Sequence, residues 1–134
     1  MSNELRQKAI RLLARREHTR AELVRKLAAH GTPEEIAAVV AELQTSHLQC
    51  DNRVAESYVR SHAERLGVSR LRQNLKTRGV TGELIDAQLA PGALPDELER
   101  ARVVWRRKFP AAPTDAREWA RQARFLQGLS LIHI

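Results

Sequence analysis

The residues able to perform covalent chemistry are few and poorly placed for it. Cys50 is the only cysteine, and His47 lies three positions before it, the one pairing of a nucleophile with a base that the chain suggests. No local signature of a thiol enzyme surrounds the pair, and Cys50 reads more simply as a small apolar residue at a helix start. The five histidines, His18, His30, His47, His62 and His133, are scattered without the paired spacing of a metal site. Adjacent carboxylates such as Glu34-Glu35 fall in first helical turns, where the helix dipole favours them. The six glycines form neither a GxxxxGKS/T run nor a GxGxxG fingerprint, so no phosphate-cradling loop is encoded. The expectation is a non-enzyme with no catalytic residue, no metal ligand and no cofactor.

The chemistry the chain does carry is cationic. A formal net charge of +7 over 134 residues, supplied mostly by arginine, points to an anionic partner: nucleic acid, an acidic protein surface or a membrane surface. Arg60, Arg65, Arg70, Arg72, Lys76 and Arg78 stand against one acid, Glu64, while the run Arg100, Arg102, Arg106, Arg107 and Lys108 encloses none. Arg72 and Lys76 are four apart, as are Arg102 and Arg106, so each pair shares a helix face and can follow an acidic groove or a phosphate backbone. The candidate contacts to a filament or to DNA are therefore Arg60, Arg70, Arg72, Lys76, Arg78, Arg102, Arg106, Arg107 and Lys108. Taken singly, each fits a solvated basic face better than a site; taken together, the clusters favour a partner. The first 50 residues, by contrast, carry a net charge of only +2.

These side chains must be held by helices. Leu, Ala, Arg, Glu and Gln dominate the composition, and they lose little rotamer freedom in a helix. A first helix is predicted over residues 3–16, with Leu5, Ala9, Leu12 and Leu13 on one face. Thr19-Arg20-Ala21-Glu22 has the pattern of a capping box and opens a second, with Leu23 and Leu27 inward and Gly31 as a left-handed stop. Thr32-Pro33-Glu34-Glu35 opens a third, striped by Ile36, Val39, Val40 and Leu43. The layout then returns. Asp51 is expected to cap a fourth helix (Val54, Ala55, Tyr58, Val59) that stops at Gly67. Ser69 should cap a fifth (Leu71, Leu75) ended by Gly79, and Thr81 a sixth (Leu84, Ile85, Leu89) ended by Pro91-Gly92. After the linker Pro91-Gly92-Ala93-Leu94-Pro95 come a seventh helix over 96–109, with Leu98, Ala101, Val104 and Trp105 inward, and an eighth capped by Thr114, carrying Trp119, Ala123 and Leu126. No window alternates strictly enough to read as a strand.

A shift of 48 residues lays Leu23, Leu27, Gly31 and Ile36 on Leu71, Leu75, Gly79 and Leu84. A repeat of this length indicates stacked helical units that complete one another's cores. The fold class is thus all-α, in tandem three-helix units over 1–48, 49–92 and 93–134, the third incomplete. No apolar run approaches the length of a membrane span, and the N-terminus lacks a secretory pattern, so the expected setting is cytoplasmic, with no membrane partner. A monomer is expected. Residues 19–43 also match a helix-turn-helix, which makes a direct DNA-binding module such as a transcription regulator the alternative. Its second helix, however, contains no Arg or Lys to read bases. A structural scaffold is the blandest reading, and the clustered arginines argue against it.

Four segments in order resemble the RecX family of RecA recombinase regulators. They are Ala14-Arg15-Arg16-Glu17-His18-Thr19-Arg20-Ala21-Glu22-Leu23 with Lys26-Leu27 and Gly31; Asp51-Asn52-Arg53-Val54-Ala55-Glu56-Ser57-Tyr58-Val59-Arg60; residues 67–75 with Gly79; and Arg107-Lys108-Phe109 followed by Arg124-Phe125-Leu126-Gln127. The resemblance covers nearly the whole chain. It implies three three-helix units in an elongated, curved body, lodged along the groove of the RecA nucleoprotein filament. It also implies modulation, mostly inhibition, of strand exchange, ATP hydrolysis and co-protease activity in DNA repair and the SOS response, with single- or double-stranded DNA as a further partner. Two departures stand out. Val54 occupies a position where the family usually has Phe. After Phe125-Leu126 the family continues with an Arg-Gly-Phe segment and a last helix, whereas here Gly128-Leu129-Ser130-Leu131-Ile132-His133-Ile134 follows. By the repeat spacing Ser130 takes the place of Gly31 and Gly79, and the expectation is a lost C-terminus replaced by foreign residues.

Overall fold

The structure, a computed structural model, describes residues 2–132. Met1, His133 and Ile134 lie outside the described residues, and so does the end of the tail read as foreign. Eight helices follow one another: α1 (Ser2–Arg15), α2 (Arg20–Leu27), α3 (Pro33–Thr45), α4 (Asp51–His62), α5 (Val68–Thr77), α6 (Gly82–Gln88), α7 (Glu97–Lys108) and α8 (Ala116–Gly128). No strand occurs among the described residues.

The helices begin where side chains can satisfy free backbone amides. Thr19 accepts from Glu22 N at 3.1 Å while the Glu22 carboxylate accepts from Thr19 N at 2.9 Å, closing the expected capping box of α2. Thr32 and Glu35 repeat it at α3, with Pro33 in the first turn. Each apolar stripe then closes a local core. Leu5, Ala9, Leu23, Leu27, Ile36, Val39, Val40 and Leu43 form one between α1, α2 and α3. Ala55, Tyr58, Val59, Leu71, Leu75 and Ile85 form the centre of a second between α4, α5 and α6. Ala101 and Val104 of α7 form the smallest with Leu131. The fold is therefore a tandem array of helix groups, with two helices in the third group among the described residues.

Several details differ from expectation, each for a local reason. Gly31 is not left-handed; the glycines with positive φ are Gly79 and Gly92. A left-handed residue that was not expected, His47 at φ 63°, follows the end of α3. Asp51 is the first residue of α4, with Cys50 before it as the cap residue, because the Asp51 carboxylate is turned to α2. Gly67, not Ser69, precedes α5, and Asp115, not Thr114, caps α8 by accepting from Glu118 N at 2.7 Å. Thr81 holds the cap position of α6 without a side-chain bond. Leu98 and Trp119, expected inward, are exposed; Leu12, Leu13, Trp105 and Leu126 are only half-buried. Leu131, in the tail read as foreign, is buried against α7, and Ser130 before it has a φ of 60°, the counterpart of Gly79.

Candidate partner-binding surface

The basic helices are held in place by two joints between successive helix groups. At the first, the Thr19 hydroxyl donates to the Arg78 carbonyl at 2.6 Å, so the cap of α2 grips the end of α5. Gly79 follows at φ 90°, and a Cβ there would run into the Cβ of Ala21. Asp51 accepts from the Arg20 amide at 2.7 Å and from Gln49 Nε2 at 2.8 Å, supplying a cap to α2 from 31 residues away. The same buried amide of Gln49 donates to the His18 carbonyl at 3.1 Å. Arg53 meets Glu17 at 3.1 Å through Nε.

The ionisable groups of this joint are tightly specified. His18 is buried; its Nδ1 donates to the Arg16 carbonyl and its Nε2 accepts from the Lys26 ammonium, both at 3.0 Å, which is the pattern of a neutral ring. Burial lowers its pKa below the ordinary 6.5, and the neighbouring cations Arg16 and Lys26 add to that against the opposing Arg16 carbonyl. Burial pushes the Glu22 carboxyl up, but the Thr19 amide and the Arg16 guanidinium outweigh it and leave the pKa below the ordinary 4.5.

The second joint repeats the plan with other residues. Gly67, the counterpart of Thr19 in the repeat, donates its amide to the Leu129 carbonyl at 2.8 Å. A Cβ at Gly67 would collide with the Ser130 carbonyl. Glu97 of α7 accepts from Val68 N at 2.7 Å and so caps α5. Arg100 donates to the carbonyls of Ala63 and Leu66, both at 2.8 Å, at the end of α4. Arg100 is thus 6% exposed and belongs to this joint, not to the basic surface its sequence neighbours suggested. Its guanidinium satisfies carbonyls that the end of a helix leaves free.

Of the candidate contact residues, Arg60, Arg70, Arg72, Lys76, Arg102, Arg106, Arg107 and Lys108 are exposed, and Arg78 is half-buried. They fall on α4, α5 and α7, and no hydrogen bond, ion pair or ring contact links those of α5 to those of α7 among the described residues. Arg72 is held by Asp86 of α6 at 2.7 Å and Arg102 by Glu99 at 2.6 Å. The Arg78 guanidinium lies 4.8 Å from the centre of the Tyr58 ring, which also stacks on His62 at 4.1 Å. Lys108 lies 5.3 Å from the centre of Phe125. Arg60, Arg70, Lys76, Arg106 and Arg107 have no such partner among the described residues. Arg106, Arg107 and Lys108 close the last turn of α7, where cations also suit the negative end of the helix. Arg107 further lines a shallow depression with Glu64, Pro95, Glu99, Arg100 and Val103.

Known proteins show the same arrangement. Three family models match in order: the first three-helix domain of RecX over residues 6–43, the second over 51–89 and the third over 95–128. The chain belongs to the RecX family. Regulatory protein RecX of Leptothrix cholodnii is 48% identical over 123 residues, 91% of this chain and 78% of the relative. That of Halorhodospira halophila is 46% identical over 129 residues, 94% and 80% of the two chains. A crystal structure of regulatory protein RecX superposes with a TM-score of 0.71 at 23% identity, over 96% of this chain and 66% of that one. The RecX array therefore extends to this chain's fold, and the relatives bear the name of regulators, not of enzymes. No helix among the described residues is long and apolar enough to cross a membrane.

Proposed function

We propose that this chain is a non-catalytic regulator that binds the RecA–DNA filament and mostly inhibits its recombinase, ATPase and co-protease activities. On this reading it acts in the cytoplasm as a monomer without a cofactor, through units spanning 1–48, 49–92 and 93–134. The carrying observation is the unpaired pair Arg106 and Arg107 at the exposed end of α7, mounted on a RecX array. A rigid fork of donors with no internal acceptor suits carboxylates or phosphates of a partner. The alternative, a DNA-reading helix-turn-helix made of α2 and α3, has less support. The first turn of α3 presents Glu34 and Glu35, and Glu35 is tied up in the capping box. Such a start repels phosphates instead of reading bases.

Co-sedimentation with RecA filaments assembled on single-stranded DNA tests the proposal, with bare DNA as control. The expected result is saturable binding to the filament, tighter than to bare DNA, together with slower strand exchange. Equal affinity for bare DNA and for the filament would overturn it.

A further inference from the structure

The first helix carries a basic strip that sequence clustering does not reveal. The first 50 residues have a net charge of only +2, yet the structure sorts that charge unevenly. Two of the cations of residues 1–50 are taken up by carboxylates, Arg6 by Glu42 at 3.3 Å and Arg16 by Glu22 at 3.2 Å, and Lys26 donates to the buried His18 ring at 3.0 Å. Lys8, Arg11 and Arg15 have no hydrogen bond or ion pair with any described residue. They stand three and four positions apart on α1, so they share one face. From Lys8 to Arg15 the helix rises about 10.5 Å. Lys8, Arg11 and Arg15 line one shallow concavity with Leu12 and Ala14, and Lys8 and Arg11 line a neighbouring one with His30.

We propose that this strip is a binding site for the phosphate backbone of a nucleic acid. Charge complementarity is the first argument: Arg11 and Arg15 are exposed and Lys8 is half-buried beside them, and the carboxylate lining these concavities is Glu4 at one end. The second is what the strip lacks. Protein interfaces are built around an apolar centre with a polar rim. The large exposed apolar residues among the described ones are Leu48, Leu98, Val103 and Trp119, and none lies on α1. A charged row whose apolar neighbours are only the half-buried Leu12 and the small Ala14 suits phosphates, which Lys and Arg position without reading sequence. The proposal does not rest on the filament reading, because the phosphates of bare nucleic acid suffice for it.

The test is titration of a fluorescent single-stranded oligonucleotide with the full chain and with the triple variant Lys8→Gln, Arg11→Gln, Arg15→Gln, across a series of salt concentrations. Loss of three contacts should make the slope of log affinity against log salt shallower by about 2, at about 0.7 per contact on single strands. A control triple of equal charge, Arg25→Gln, Arg117→Gln, Arg124→Gln, should change the slope by well under half as much. The charge-retaining triple Lys8→Arg, Arg11→Lys, Arg15→Lys should bind with the parent slope. Equal slopes for the two neutralised triples overturn the proposal, and so does an unchanged slope. A variant that keeps its DNA slope but no longer binds polyglutamate also overturns it, and assigns the strip to an acidic protein. Should the triple lose its helical spectrum, Arg11→Gln alone provides the reading, with an expected change of about 0.7 and no change as the overturning result.

Discussion

The Thr19 hydroxyl and the Arg78 carbonyl, 2.6 Å apart, join the start of α2 to the end of α5, and the Gly67 amide and Leu129 carbonyl, 2.8 Å apart, join α5 to the end of α8 in the same way. In each case the cap residue of one group's second helix donates to the residue just before a left-handed position, Gly79 or Ser130. Thr19 serves α2 and the joint at once. Thr19→Ala should destabilise the chain by about 1–3 kcal/mol, from a lost cap and a lost donor to the Arg78 carbonyl. Thr19→Ser should retain most of the stability. Urea unfolding of both variants checks this; equal losses would show that the hydroxyl does nothing.

Gly79 is expected to resist substitution. Alanine there is strained at φ 90° and collides with Ala21. Gly79→Ala should cost more than about 1 kcal/mol. Pairing it with Ala21→Gly should return part of that loss, because the collision disappears while the backbone strain stays. A double-mutant cycle isolates the coupling, and a coupling near zero would remove Ala21 from the account.

Leu23, Leu27, Leu71 and Leu75 are all 0% exposed and occupy equivalent places in two cores. Each replaced by alanine should destabilise by about 2–5 kcal/mol, the usual cost of a buried cavity. Thermal or chemical unfolding measures it, and a loss below about 0.5 kcal/mol would be that of a surface position.

Acid should weaken the first joint. The folded pKa of His18 lies below its ordinary 6.5, so its contribution is complete above that value and is lost as pH falls toward the folded pKa. Glu22 follows the same sign lower down: its contribution is complete above 4.5 and is lost as pH falls through its depressed folded pKa. Melting temperature should therefore decline from pH 7 toward pH 5, and His18→Gln should flatten that decline. A melting curve that rises over the same window would contradict the neutral His18 described above.

Charge reversal should separate working cations from paired ones. Arg106→Glu with Arg107→Glu is expected to weaken filament binding while melting is unchanged. Arg72→Glu breaks its pair with Asp86, and exposed pairs of this kind contribute about 0.2–1 kcal/mol. Its effect should show in stability as well as in binding. If the α7 double variant binds as well as the parent, the contact lies elsewhere on the array.

The helices and their order were legible because caps and stripes agree at each one: Thr19 with Glu22, Thr32 with Glu35, and the leucines four apart. What the chain did not announce depends on partners distant in sequence. Asp51 looked like the cap of its own helix, but its carboxylate is committed to Arg20, and Arg100 looked like one more surface cation until the carbonyls of Ala63 and Leu66 came into reach. Counting charge along the chain found the clusters of α5 and α7. It missed Lys8, Arg11 and Arg15, because three of the acids that dilute them in sequence, Glu17, Glu22 and Glu42, are spent on other cations. Leu98 and Trp119 were assigned inward from helical spacing, and the third group covers too little surface to bury them.

The two joints also set how a disturbance travels. The first is made almost wholly of hydrogen bonds and lies between two separate apolar cores, whereas Leu129 packs against both the second core and the third. Breaking the Thr19–Arg78 contact leaves each neighbouring core closed. What it removes is a contact between helix groups, while Leu129 still ties the second group to the third. The placement of the second group on the first is thus specified by a handful of polar atoms, those of Thr19, Gln49, Asp51 and the Arg78 carbonyl.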